Sequence, residues 1–179
     1  MSFFYKRLMK RIGILGGSFD PVHIGHLLMA ESAADAFKLD RVIFVVALQS
    51  PFKSTKNAPA KDRLAMVRAA IKGNDRFVAS NIELKRRGVS YTIDTVSHFK
   101  KKFPGAELFF IIGEDNVRGL AKWKSIEAIK TLARFIVIER DWFDVSSTLV
   151  RKRLARKKSI RYLTADTVIR YINKYSLYS

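Results

Sequence analysis

Apolar residues follow two rhythms along this chain. Short unbroken runs at 12–15, 41–46, 77–80, 107–112 and 134–139 are rich in β-branched and aromatic side chains. Such runs predict strands buried on both faces. Between them, apolar residues recur at helical spacing. Leu27, Ala30, Ala34 and Phe37 share one face of a helix that follows a loop over 16–23. Leu64, Val67 and Ile71 predict a helix over 61–72, stopped by Gly73, Asn74 and Asp75. Ile93, Val96, Phe99 and Phe103 predict another over 92–103, ended by Pro104 and Gly105. A short irregular helical region reaches to 131, and two helices close the chain at 147–155 and 164–173. Thr164 is the expected N-cap of the last one, with Val168, Ile172 and Tyr175 toward the core. Residues 47–59 read as a long loop.

Strands alternating with helices predict an α/β fold, with a mostly parallel sheet covered by helices on both faces. Ligands in such folds sit at the carboxyl ends of the strands, near the point where strand order reverses. There is no internal repeat, low-complexity tract or dividing linker. Residues 10–179 therefore read as one domain, and 1–9 as a loose extension with Met9 available as an alternative start.

Composition narrows the classes. The length of 179 residues suits one domain with a real core. No apolar run is long enough to cross a bilayer, which excludes a transmembrane protein. The first residues lack the apolar region of a secretory signal. Cysteine is absent, so a disulfide scaffold, a thiolate zinc site and a cysteine nucleophile are excluded. Lys plus Arg is 34 against 16 Asp plus Glu, a net charge of +18. That charge attracts phosphates, nucleic acid and anionic membranes alike, and a general lysine bias produces it equally well. The basic runs at 151–153 and 156–158 read as a solvated helix face with Arg151 turned inward, rather than as a nucleic-acid patch.

The chemistry concentrates at residues 16–26, Gly-Gly-Ser-Phe-Asp-Pro-Val-His-Ile-Gly-His. Glycines after a strand let the backbone approach a ligand closely, and N–H groups at the following helix N-terminus suit an anion. His23 and His26, three apart, can point at one ligand and donate to phosphate oxygens. Zinc binding by the pair would need a third ligand of recognisable spacing, which the sequence lacks. The glycine spacing does not match a dinucleotide fingerprint.

Residues 17–26 resemble the signature of the nucleotidyltransferases with an H-x-G-H motif. Other segments narrow the resemblance to bacterial nicotinate-mononucleotide adenylyltransferases: residues 82–95, 109–115, Lys122-Trp123, 144–151, 159–163 and Tyr171-Ile172. It covers nearly everything from Lys10 onward. It implies a Rossmann-like fold and transfer of the adenylyl group of ATP to nicotinate mononucleotide, giving nicotinate adenine dinucleotide and pyrophosphate for NAD. Attack would be direct, with no covalent enzyme intermediate, consistent with the missing cysteine. Catalysis is then positioning and charge stabilisation. Mg²⁺ would arrive with ATP, and no protein metal site is implied.

The resemblance also implies roles. Gly17, Ser18 and Phe19 would lie against the nucleotide phosphates, and His23 and His26 would stabilise the transition state. Asp115 would take the ATP ribose. Ser147, Thr148 and Arg151 would bind phosphates while Ser146 caps the helix, and Arg140 would assist with ATP. On the acceptor side, Trp123 would stack on the pyridine, Tyr91 and Thr92 would flank it, and backbone N–H groups near Thr92 and Trp123 would hold the carboxylate. Lys53 would stand near the substrate phosphates. Asp20 reads only as a turn-shaping residue, and His98 as a partly exposed helix residue. Two features depart from the family pattern: Phe52 stands where many relatives have histidine, and only six residues separate Glu139 from Ser146. The expected partners are the two substrates, with no specific nucleic acid, no membrane and room for a homo-oligomer, in the cytoplasm. Nicotinamide mononucleotide is the alternative acceptor.

Overall fold

A computed structural model describes residues 10–51, 57–139 and 145–178. The extension 1–9, Phe52, Lys53, Arg140 and most of the short stretch before Ser146 lie outside the described residues.

The strands are β1 (Arg11–Gly17), β2 (Arg41–Val46), β3 (Phe77–Ser80), β4 (Glu107–Gly113) and β5 (Arg134–Ile138). They form one parallel sheet in the order β3-β2-β1-β4-β5. The helices are α1 (Ile24–Ala36), α2 (Ala60–Ala70), α3 (Ile82–Arg86), α4 (Thr92–Lys102), α5 (Ile126–Leu132), α6 (Ser147–Ala155) and α7 (Asp166–Lys174). A 3₁₀ segment, Glu114–Lys122, follows β4.

Successive side chains of a strand point to opposite faces, so each apolar run feeds two cores. Leu15, Phe44, Phe109, Ile111 and Ile136 pack on one face under α1, α2, α6 and α7. Ile12, Ile14, Val45, Phe110 and Ile112 pack on the other against Val96 and Phe99 of α4 and Ile129 of α5. That two-sided burial is why β2 and β4 read as unbroken apolar runs; β5, expected to be buried on both faces, is an edge strand that exposes Val137, as the other edge strand, β3, exposes Val78.

The chain steps from β1 to β2 and β3, then returns past β1 to β4 and β5. Strand order therefore reverses between β1 and β4, and a crevice opens at their carboxyl ends. Among the described residues no helix is long and apolar enough to cross a membrane.

Two further expectations needed correction, and one helix was unforeseen. Thr164 does not cap α7. Its hydroxyl donates to the Val22 carbonyl at 2.8 Å, and Ala165 is the capping residue. Tyr175 is half exposed, whereas Val168 and Ile172 are buried as expected. The five-residue helix α3 is too short to show periodicity and was not anticipated.

Helix α7 docks on α2 through two polar contacts. Thr167 donates to the Ala69 carbonyl at 2.8 Å, and Tyr171 donates to the buried Asp62 carboxylate at 3.0 Å. Burial, with the Asp62 hydrogen bond and charge, pushes the Tyr171 phenol up to about 12. A phenol whose pKa is raised on folding stabilises fully below its ordinary value of about 10, and that stability fades as pH rises toward 12. Tyr171→Phe should therefore lower the melting temperature near neutral pH. The gap to the wild type should close between pH 10 and 12, as thermal melts across that range would read.

Candidate active site

A cleft of about 680 Å³ occupies the crevice. Its floor is the end of β1 (Leu15, Gly16, Gly17) and the end of β4 (Phe110 to Gly113). One wall is the loop to α1 with the N-terminus of α6, and the other carries Tyr91, Thr92 and Trp123. Of the residues singled out from the sequence, Gly17, Ser18, Phe19, His23, His26, Tyr91, Thr92, Asp115, Trp123, Ser147, Thr148 and Arg151 all line this cleft. Lys53 and Arg140 cannot be placed, being outside the described residues.

The loop after β1 is tightly held. Phe19 has φ 48°, a left-handed conformation that a bulky residue adopts only where its surroundings enforce it. Its ring is 1% exposed, meets the His26 imidazole edge-on at 4.9 Å and lies 5.9 Å from Phe44. Gly17 makes room for it, since a Cβ there would stand 3.0 Å from the Phe19 ring. Gly25 does the same for His23, whose Nδ1 would lie 3.1 Å from an added Cβ.

The two imidazoles lie face to face, with centroids 3.7 Å apart and planes tilted by 36°. The His23 backbone N–H donates to His26 Nδ1 at 3.2 Å. An Nδ1 that accepts carries no proton, so the neutral His26 ring holds its proton on Nε2. That nitrogen is then a donor for an anionic oxygen.

The C-terminal third grips the same loop through three successive carbonyls. Arg151 donates to the Asp20 carbonyl at 2.6 Å, Ser147 to that of Pro21 at 2.8 Å, and Thr164 to that of Val22 at 2.8 Å. Ser146 caps α6 by accepting from the Leu149 N–H at 3.1 Å, as expected. Ser147 and Arg151 thus tie α6 to the loop as well as facing the cleft.

Asp20 does more than shape a turn. Its carboxylate is buried and accepts from the Asn57 N–H (2.8 Å), the Ala58 N–H (3.0 Å), the Tyr178 hydroxyl (2.8 Å) and the Asn57 side chain (3.3 Å). Burial alone would raise its pKa. The donors from Asn57, Tyr178 and Ala58 outweigh that and hold it below the usual carboxylate range. Sequence reasoning also missed Arg63, which is 1% exposed and makes hydrogen bonds to four backbone carbonyls. A signal existed: Arg63 shares a helical stripe with Met66 and Val67, and a lone arginine on an apolar stripe must find acceptors.

At the opposite wall, Trp123 is half-buried and packs edge-on against Phe110 (5.7 Å) and Phe135 (6.2 Å). The Lys124 ammonium lies over the Tyr91 ring at 4.4 Å. Of the backbone N–H groups around Trp123, expected to hold a carboxylate together with those near Thr92, that of Trp123 itself donates to the Leu120 carbonyl at 2.9 Å. The first turn of α4, which begins at Thr92 with no side-chain cap, offers donors in its place. Asp115 is exposed at the start of the 3₁₀ segment, where Asn116 donates to it at 3.1 Å.

Among the described residues no cluster of three or more His, Asp or Glu could hold a metal ion. Of the carboxylates that line the cleft, Asp20 is engaged as above, Glu83 accepts from the Thr95 hydroxyl at 2.6 Å and Asp115 from the Asn116 side chain.

The strand-order reversal, the glycine-bearing loop and the paired histidines define a nucleotidyltransferase. Residues 14–153 match the Cytidylyltransferase-like family. The chain is 42% identical over 187 residues to a probable nicotinate-nucleotide adenylyltransferase of Shouchella clausii, covering 95% of this chain and 97% of that one. In structure it is similar to a putative nicotinate-nucleotide adenylyltransferase from Vibrio parahaemolyticus, with TM-score 0.81, 26% identity and 95% and 96% of the two chains covered. It shares its fold with a Plasmodium falciparum nicotinic acid mononucleotide adenylyltransferase complexed with NaAD, at TM-score 0.76, 20% identity and 94% and 97% coverage. The chain belongs to the nicotinate-nucleotide adenylyltransferase family.

Proposed function

We propose that this protein transfers the adenylyl group of ATP to nicotinate mononucleotide. The observation that carries this reading is one cleft with a phosphate-type wall, His23 and His26 on the β1 loop, facing an aromatic wall, Tyr91 and Trp123. The names of the Shouchella and Vibrio relatives agree with it. A phosphate oxygen of nicotinate mononucleotide attacks the α-phosphorus of ATP. The new P–O bond forms as the bond to the bridging oxygen breaks, and pyrophosphate leaves with the electron pair.

Ser18 and the loop N–H groups hold the triphosphate, delivered with Mg²⁺, which neutralises phosphate charge. His26 donates from Nε2, and His23 beside it serves the same oxygens. Thr148 and Arg151 close over the phosphates, and Asp115 accepts from the ribose. Trp123 stacks on the pyridine. The α4 N-terminus and the Lys124 ammonium favour a ring bearing a carboxylate over one bearing an amide, which supports nicotinate over nicotinamide. The reaction belongs to the cytoplasm, where ATP is abundant.

The experiment is product formation from ATPαS of one configuration at the α-phosphorus. Direct transfer gives the nicotinate dinucleotide with inverted configuration. Retention would mean two displacements and a covalent intermediate. A variant tests the acceptor wall: Trp123→Ala should raise KM for nicotinate mononucleotide about tenfold or more, the worth of one aromatic stack. KM for ATP should stay within about twofold in the same steady-state assay.

A further inference from the structure

The geometry points to Arg63 as a positioning residue that sets the phosphate-facing backbone and, through Phe19, the His26 ring. This rests on the reading that ATP phosphates occupy the β1 loop. Arg63 comes from α2, yet its guanidinium gathers the carbonyls of three separate stretches. It donates to Ser18 (2.6 Å), to Ala47 (2.7 Å) and Leu48 (3.4 Å) beyond β2, and to Ala58 ahead of α2 (3.1 Å). Only a planar fork with several donors can serve acceptors in so many directions, and a lysine cannot. Burial lowers its pKa while the neighbouring Asp20 charge raises it, and a guanidinium keeps its proton through such shifts.

The consequence lies in the Ser18–Phe19 peptide. A trans peptide sets its C=O and N–H on opposite sides. Arg63 draws the Ser18 carbonyl inward, so the Phe19 N–H is turned the other way, toward the cleft that Ser18 and Phe19 line. No described residue accepts from that N–H. The same peptide fixes Phe19 in its left-handed conformation, and the Phe19 ring is the surface on which His26 rests. Arg63 therefore aims one backbone donor at the phosphates and seats one histidine, without lining the cleft itself. None of its hydrogen bonds to described residues reaches Tyr91, Thr92 or Trp123 of the acceptor wall.

The test compares Arg63→Lys with the wild type by calorimetric titration with Mg–ATP alone and with nicotinate mononucleotide alone. The expected result is a Kd for Mg–ATP weakened about tenfold, the value of one charge-assisted hydrogen bond, with the acceptor Kd within about twofold. A folded variant that binds Mg–ATP as the wild type does, or that weakens for both ligands equally, would make Arg63 purely structural and overturn the inference. Should the variant not fold, the wild type answers instead. Its Phe19 amide resonance should shift on addition of Mg–ATP, and an unmoved resonance overturns the inference. Wild-type protein that binds Mg–ATP but forms no nicotinate dinucleotide would defeat the proposed acceptor and leave Arg63's role intact. Wild-type protein that does not bind Mg–ATP would defeat both.

Discussion

His26→Asn should lower kcat by about 10²–10³-fold, the usual cost of removing one preorganised donor to a developing negative charge. KM for nicotinate mononucleotide should change little, because the acceptor wall lies across the cleft from the histidines. The reason is the His26 tautomer. Its Nδ1 accepts from the His23 N–H at 3.2 Å, which leaves the proton on Nε2, and the Phe19 edge at 4.9 Å holds the ring plane. Asparagine is shorter and cannot present a donor at the same place while accepting from His23. Steady-state kinetics with both substrates varied, alongside a thermal melt, would read the effect. A loss of less than about tenfold in kcat would remove His26 from the transition state.

The second large effect concerns the core beneath the loop. Phe44→Ala should cost about 3–5 kcal/mol, the range for deleting a buried phenyl ring. Phe44 is 0% exposed on β2, between Phe77 (5.3 Å) and Phe19 (5.9 Å). The cavity would open directly under the strained residue of the phosphate loop. A domain of this size has about 5–15 kcal/mol of stability in total, so much of it would go. Phe99→Ala is the matched control. Phe99 is 2% exposed in the core on the opposite face of the sheet, away from the β1 loop. Both variants should lose comparable stability in urea unfolding. At a temperature where both remain folded, only Phe44→Ala should also weaken ATP binding. Equal loss of ATP binding in the two would show that the loop does not depend on its local support.

What the sequence made legible follows from burial. Residues 41–46 were predicted as a strand and are one, because side chains buried on both faces leave an unbroken apolar run; residues 77–80 are a strand too, but at the sheet edge, where Val78 is exposed. Helices α4 and α6 begin where capping and periodicity put them, at Thr92 and Ser147. The cleft residues were legible because a turn of glycines between a strand and a helix, with two histidines, has a chemical meaning on its own. The supports were not. Asp20, Arg63, Thr164 and Tyr178 act on partners 37, 45, 142 and 158 positions away, and no local pattern encodes such contacts. Thr164 looked like an N-cap because threonine before a helix usually is one. Its hydroxyl instead answers a buried carbonyl of the loop, a demand visible only in three dimensions. Tyr175 fell on the apolar stripe of α7, but it lies just past the helix and stays half exposed.

The account turns on which acceptor receives the adenylyl group. The most direct measurement is pyrophosphate release from Mg–ATP by the purified protein, with nicotinate mononucleotide and nicotinamide mononucleotide offered in parallel. The account predicts release with the nicotinate form that exceeds the nicotinamide form by about tenfold or more, the effect of a carboxylate meeting the α4 N-terminus and Lys124. Equal rates with both, or release with neither from folded protein, would contradict it.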